Sequence, residues 1–170
     1  AVQARIQPDD ADFDTLDARH ASIRWMTTAR PAFGGIGPSQ SDPRTGEILD
    51  ADIGIDATNV RNVRSLRSEY IPNAFAAADG AGTGAGALHC DSAERGAAEA
   101  VFGMALLEAR GELDPQGPEV EGFVAAYLHD VTMHEVGHTL GLRHNFRAST
   151  IYTEAELADP AFTRVNGISG

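Results

Sequence analysis

Three histidines and a glutamate lie close together in the segment HEVGHTLGLRH, residues 134–144. His134 and His138 are four residues apart, so on a helix their imidazoles lie on the same face and can point at one ion. Glu135 is the next residue along and is turned by about 100°, so it reaches a water molecule held by the ion rather than the ion itself. This pattern predicts a metal-activated water with Glu135 as its general base.

Gly141 and His144 extend the pattern beyond the helix. A glycine in the left-handed conformation ends a helix and reverses the chain, so His144 can return to the same ion. Three neutral imidazoles leave a fourth position for water, as in catalytic zinc sites, whereas structural sites are usually closed by cysteine. HExxH alone occurs by chance in about one per cent of such chains, and the full pattern in on the order of one in ten thousand.

The composition limits the class of protein. The chain has 170 residues, 42% of them hydrophobic, and a net charge of −12, which argues against nucleic acid and anionic membrane surfaces as partners. It has no apolar run near the length of a membrane span. The only cysteine is Cys90, which we interpret as a small buried residue. The alternative is a thiolate that blocks the zinc.

Three segments have the composition of short strands: residues 22–26, 33–40 and 47–56. Alternation places Ile23 and Trp25 on one face of the first. Proline and glycine in the second favour an edge strand. The sequence DPRTG at 42–46 predicts a turn that joins the second and third into a hairpin-like unit.

Two long helices are predicted to follow. The first spans residues 91–111, with Asp91 as its cap and Gly111 at its end. Its apolar side is predicted to consist of Val101, Met104, Ala105 and Leu106. The second begins near Pro118 and stops at Gly141. Its apolar face is predicted to consist of Val120, Phe123, Val124, Tyr127, Leu128 and Val131, with His134 and His138 continuing that buried stripe.

Two other segments resemble ligand sites only superficially. Asp50, Asp52 and Asp56 could bind calcium, but their spacing is not that of a calcium loop, and a solvated acidic strand is the simpler interpretation. The glycine-rich stretch at 79–87 lacks the strand and the GK[ST] sequence of a phosphate-binding loop, which favours a flexible loop.

HEVGHTLGLRH resembles the zinc-binding motif of the metzincin clan of endopeptidases, HExxHxxGxxH. The segment GGIGPSQSDPRTGEILDADIGID resembles the part of those enzymes that carries the substrate-aligning edge strand and the next strand. Together with DARHASIRWM, these segments look like a bacterial family of large zinc-dependent metalloproteases.

The resemblance implies a fold, a cofactor and a set of site residues. The fold would be α+β, a metzincin-like (zincin) catalytic domain whose small mixed β-sheet packs on two long helices, the second carrying HExxH. One catalytic zinc ion would be held by His134, His138 and His144, with Glu135 as the catalytic base. A polypeptide substrate would run along Gly35, Ile36 and Gly37. Metzincins usually work outside the cytoplasm, so the resemblance implies a periplasmic or secreted protein, although residues 1–14 lack the charged-then-apolar pattern of a signal peptide.

Metzincins also carry a methionine-containing turn after the third histidine. Here the methionines are Met26, Met104 and Met133, all before His144. We therefore predict one metzincin-like domain over residues 1–170, a fragment that lacks this turn. Three functions fit the sequence: a zinc-dependent endopeptidase, a non-catalytic zinc-containing binding domain, and a zinc amidase acting on cell-wall peptides. The oligomeric state stays open.

Overall fold

The computed structural model describes residues 3–27, 33–58, 61, 92–145 and 147–168. Its strands are β1 (Ser22–Met26), β2 (Gly35–Ile36), β3 (Ser39–Ser41) and β4 (Ile48–Asp56). Its helices are α1 (Ser92–Ala109), α2 (Glu119–Thr139), a 3-10 turn at Ala148–Thr150, α3 (Glu154–Leu157) and α4 (Pro160–Asn166). The predicted α+β class, a small mixed sheet with two long helices, is confirmed.

Strand β4 is the centre of the sheet. It pairs in parallel with β1, which sets Ile23 opposite Ile53. It pairs antiparallel with β2 and then with β3, so the predicted hairpin-like unit is present. The predicted turn closes through the N–H of Gly46, which donates to the carbonyl of Asp42 at 2.8 Å. In the resulting order β1-β4-β2, strand β2 lies at an edge.

The acidic residues of β4 accept hydrogen bonds from neighbouring residues and do not form a metal site among the described residues. Asp52 accepts hydrogen bonds from the backbone N–H and the hydroxyl of Ser22, at 3.2 and 2.6 Å. Asp56 is fully buried and accepts from the N–H of Thr58 at 2.7 Å. Within the described ranges, Asp50 forms no metal-holding group with these two carboxylates.

Strand β1 carries Ile23 and Trp25 on one face, as predicted, but both side chains are about half exposed. Their partners on β4, Ile53 and Ile55, are buried. The difference follows from position, because β1 is an edge strand whereas β4 is paired on both sides.

Helix α1 ends where predicted but buries a different face. Gly111 has φ +71°, and the N–H of Glu112 donates to Leu107, a left-handed glycine stop. Met104 is buried, whereas Ala105 and Leu106 are exposed, so that part of the predicted apolar side is wrong. The buried positions are Ala93, Ala97 and Met104, and the two alanines let α2 approach closely. Asp91, Cys90, residues 79–87 and most of 57–78 lie outside the described residues.

Helix α2 packs against α1 in the hydrophobic core. Val124, Tyr127 and Val131 are buried, as predicted, and the hydroxyl of Tyr127 donates to the carbonyl of Ala93 at 2.9 Å. The helix begins directly after Pro118, as predicted. The buried stripe does not continue through the histidines, because successive steps of four lead from Tyr127 through Val131 to Glu135. In the described part of the chain, no helix is long and apolar enough to cross a membrane.

Candidate metal centre

The last turns of α2 bring the histidines together. The Nε2 atom of His134 lies 3.0 Å from that of His144, and the Nε2 atom of His138 lies 3.1 Å from it. The three rings do not stack, since their planes cross at 43° to 89° around a common point. All three could hold one metal ion, and no other such group occurs among the described residues.

The return of His144 depends on the turn that ends α2. Gly141 has φ +86°, its N–H donates to the carbonyl of His138, and the N–H of Leu142 donates to Gly137. This is a Schellman motif, in which the residue after the glycine also packs back on the last turn. A Cβ at Gly137 would lie 3.8 Å from Leu142 Cδ1, in ordinary contact. The predicted reversal at Gly141 is confirmed.

The same turn orients a second histidine. Nδ1 of His138 lies 3.0 Å from the carbonyl oxygen of Leu142. A carbonyl only accepts, so Nδ1 carries the proton and Nε2 presents a lone pair to the other two rings. This contact was not predicted from the sequence, although Gly141 was the signal that Leu142 folds back on α2.

The electrostatics of the cluster favour a neutral imidazole at His134. Burial lowers the pKa of His134 below its ordinary value, and the neighbouring His138 and His144 lower it further, against the opposing charge of Asp130. The unprotonated ring is the form that binds a metal. Tetrahedral zinc with three nitrogen ligands needs those nitrogens about 3.4 Å apart. The distances found here lie close to that value, so the donor set fits zinc.

Glu135 lies beside the cluster and is only 1% exposed. Strand β2 and Gly37, the residue after it, pass over Glu135, since a Cβ at Gly35 would lie 3.0 Å from Glu135 Oε1 and one at Gly37 would lie 3.1 Å from Oε2. Ile36 points to the other face, where it lies near Gly54. The structure therefore places Gly35 and Gly37 against Glu135. This contact could not be predicted from the sequence, because the glycines are far from Glu135 along the chain.

Replacing Gly141 with alanine tests the turn. The left-handed conformation is unfavourable for residues with a Cβ, so we expect a loss of about 1–2 kcal/mol in the free energy of unfolding. Zinc affinity should fall as well, because the turn holds both His144 and the carbonyl that orients His138. Urea unfolding and competition with a zinc chelator measure the two effects. Gly122→Ala is the control, since that site in α2 has open space, and equal behaviour of the two variants would contradict the role of the turn.

Residues 116–170 match a protein-family model described as Met-zincin. This part of the chain is metzincin-like. The match covers helix α2, the three histidines and the helices that follow them, so the metzincin resemblance is confirmed where the motif lies. No curated protein matches the chain, and no solved structure matches it. The Met-zincin match and the histidine cluster together indicate a zinc-dependent, metalloprotease-like domain.

Proposed function

We propose that this protein is a zinc-dependent endopeptidase in which Glu135 is the general base. The observation that carries the proposal is the convergence of three imidazole nitrogens beside a buried glutamate and beneath an edge strand. A site of purely structural zinc has no use for that carboxylate, which argues against a non-catalytic binding domain.

His134, His138 and His144 would hold the zinc ion. When bound, zinc lowers the pKa of water toward ~7 and polarises a carbonyl group. The chain contributes the neutral form of His134 through its burial, and the hydrogen bond from His138 Nδ1 to the carbonyl of Leu142 directs the His138 Nε2 lone pair to the shared point. Three protein ligands leave one position for water or substrate, the arrangement typical of a catalytic site.

Glu135 would move the proton. It follows His134 directly on α2, which turns its carboxylate away from the shared point of the imidazoles but keeps it within one residue of a ligand. In this position it would accept a proton from the attacking water and deliver it to the amine that leaves. Its exclusion from bulk solvent keeps competing water away from the carboxylate.

Strand β2 would bind the substrate. The carbonyls of Gly34 and Pro38 accept hydrogen bonds from β4, so in the alternating antiparallel pattern residues 34, 36 and 38 face β4. The backbone groups of Gly35 and Gly37 then point away from β4, to an edge that no other described strand covers. An extended polypeptide could pair with them as an added strand, which main-chain hydrogen bonds alone would hold in any sequence. This arrangement favours a polypeptide over a small molecule.

The test is cleavage of a mixed peptide library by the zinc-loaded protein, read by mass spectrometry, with metal-free protein as the control. We expect internal peptide bonds to be cut only when zinc is present. Cleavage confined to cross-linked peptides with D-amino acids would identify a cell-wall amidase instead. No cleavage of the mixed library or of cross-linked peptides with D-amino acids would support a non-catalytic zinc-binding domain.

Location outside the cytoplasm stays a prediction that rests on the resemblance.

A further inference from the structure

Gly35 in β2 and Gly37, one residue beyond the end of β2, approach the helix that carries Glu135 more closely than any other residue type would allow. A Cβ at Gly37 would lie 2.6 Å from the carbonyl oxygen of Glu135. A Cβ at Gly35 would lie 2.9 Å from Val131 Cγ1 and 3.2 Å from Glu135 Cγ. Neither glycine has a positive φ, so lack of space rather than backbone conformation requires glycine at both positions.

Each glycine lies against a different oxygen of the Glu135 carboxylate. Gly35 and Gly37 are two residues apart on an extended strand and so present the same face to α2. Of the two carboxylate oxygens, Oε1 is the nearer to the Cβ position of Gly35 and Oε2 is the nearer to that of Gly37. The strand thus lies along the carboxylate, which has little room to rotate or withdraw.

We propose that Gly35 and Gly37 are positioning residues for Glu135. Their missing side chains let β2 close on α2 and hold the carboxylate of Glu135 in one orientation. This role rests on the proposed function of Glu135 and differs from the pairing of substrate with the strand, because it acts through the face of β2 rather than its edge.

The kinetic test compares Gly35→Ala with wild type. A methyl group at this position displaces the carboxylate, and displacement of a catalytic group by about 1 Å costs on the order of a hundredfold in rate. We expect kcat to fall by that factor, while KM and zinc affinity stay near their wild-type values. A raised KM with unchanged kcat would mean that Gly35 serves substrate binding alone, and it would overturn the proposal. Gly122→Ala is the control, because Gly122 is an open position on α2, the helix that carries Glu135, and this variant should leave kcat unchanged.

A second test needs no activity. The thermal midpoint of the metal-free protein is measured for Gly35→Ala, for Glu135→Ala and for the double variant. Removal of the Glu135 side chain eliminates two of the three closest contacts of the new methyl, so the loss in Tm caused by Gly35→Ala should be at least halved in the Glu135→Ala background. Equal losses in both backgrounds would overturn the positioning role.

The two tests separate the two proposals. Failure of the zinc-loaded wild type to cleave peptides would contradict the proposed function, whereas equal Tm losses would contradict only the positioning role. If Gly35→Ala fails to fold, the same comparisons are made with Val131→Ala added, since this removes the nearest methyl group but leaves the contact with the carboxylate. Recovery of both Tm and kcat in that double variant would reduce the effect to packing and overturn the proposal.

Discussion

Glu135→Gln is expected to lower kcat for peptide hydrolysis by about 10²–10⁴-fold, the usual contribution of a general base. Glutamine has the size of glutamate, so it fits the space between Gly35 and Gly37 without disturbing β2. The amide cannot accept a proton from water at neutral pH, which removes the chemistry and preserves the packing. The three histidines are unchanged, and we expect zinc to bind as it does in the wild type.

The measurements are single-turnover cleavage of a peptide found with the library, and the zinc content of the purified variant. Glu135→Ala is the companion variant, because it removes the side chain entirely and should lose as much activity. Hydrolysis at the wild-type rate by the zinc-loaded glutamine variant would show that another group moves the proton, and the mechanism proposed here would be wrong. A variant without zinc would not test the base, which is why its metal content is determined first.

His144→Ala is expected to weaken zinc binding by more than about a hundredfold. Loss of a residue that merely orients a ligand costs 10–100-fold in metal affinity, and His144 is proposed as a ligand itself. Its Nε2 atom is the one shared by both close contacts in the cluster, at 3.0 and 3.1 Å. The side chain is exposed and follows the end of α2, so the metal-free fold should keep its stability.

Competition with a chromophoric chelator gives the zinc affinity, and urea unfolding of the metal-free protein gives the stability. His129→Ala is the matched control, since His129 is exposed on α2 and does not belong to the metal-holding group. Unchanged affinity in His144→Ala would remove this residue from the site. A loss of the same size in His129→Ala would show that the assay reports general binding of zinc to histidines.

The metal centre could be predicted from sequence because its geometry is local. The four-residue spacing of His134 and His138 and the left-handed glycine at 141 determine the site through the rules of a single helix and its end. The strand order could also be anticipated in part, since the turn at 42–46 joins neighbouring segments. These features need no knowledge of distant contacts.

The environment of Glu135 could not be predicted in the same way. Its burial results from contact with Gly35 and Gly37, which belong to a strand far away in sequence, and a glycine at an edge position does not indicate which element lies against it. The wrong assignment of Ala105 and Leu106 has a related cause. Ala93, Ala97 and Met104 form the buried side of α1, and hydrophobicity alone does not show which face of an alanine-rich helix turns toward α2.

The turn at Gly141 has a consequence for the order of events during folding. All three proposed ligands lie in one helix end and its turn, so closing the loops between them costs little entropy even before the sheet forms. An unfolded or partly helical chain would therefore retain affinity for zinc, and binding to that state reduces the stability that the metal adds to the native fold. The carboxylate of Glu135 takes its place only when β2 docks on α2, which is a long-range contact and forms late. Metal capture and hydrolytic competence are thus expected to arise at different stages of folding.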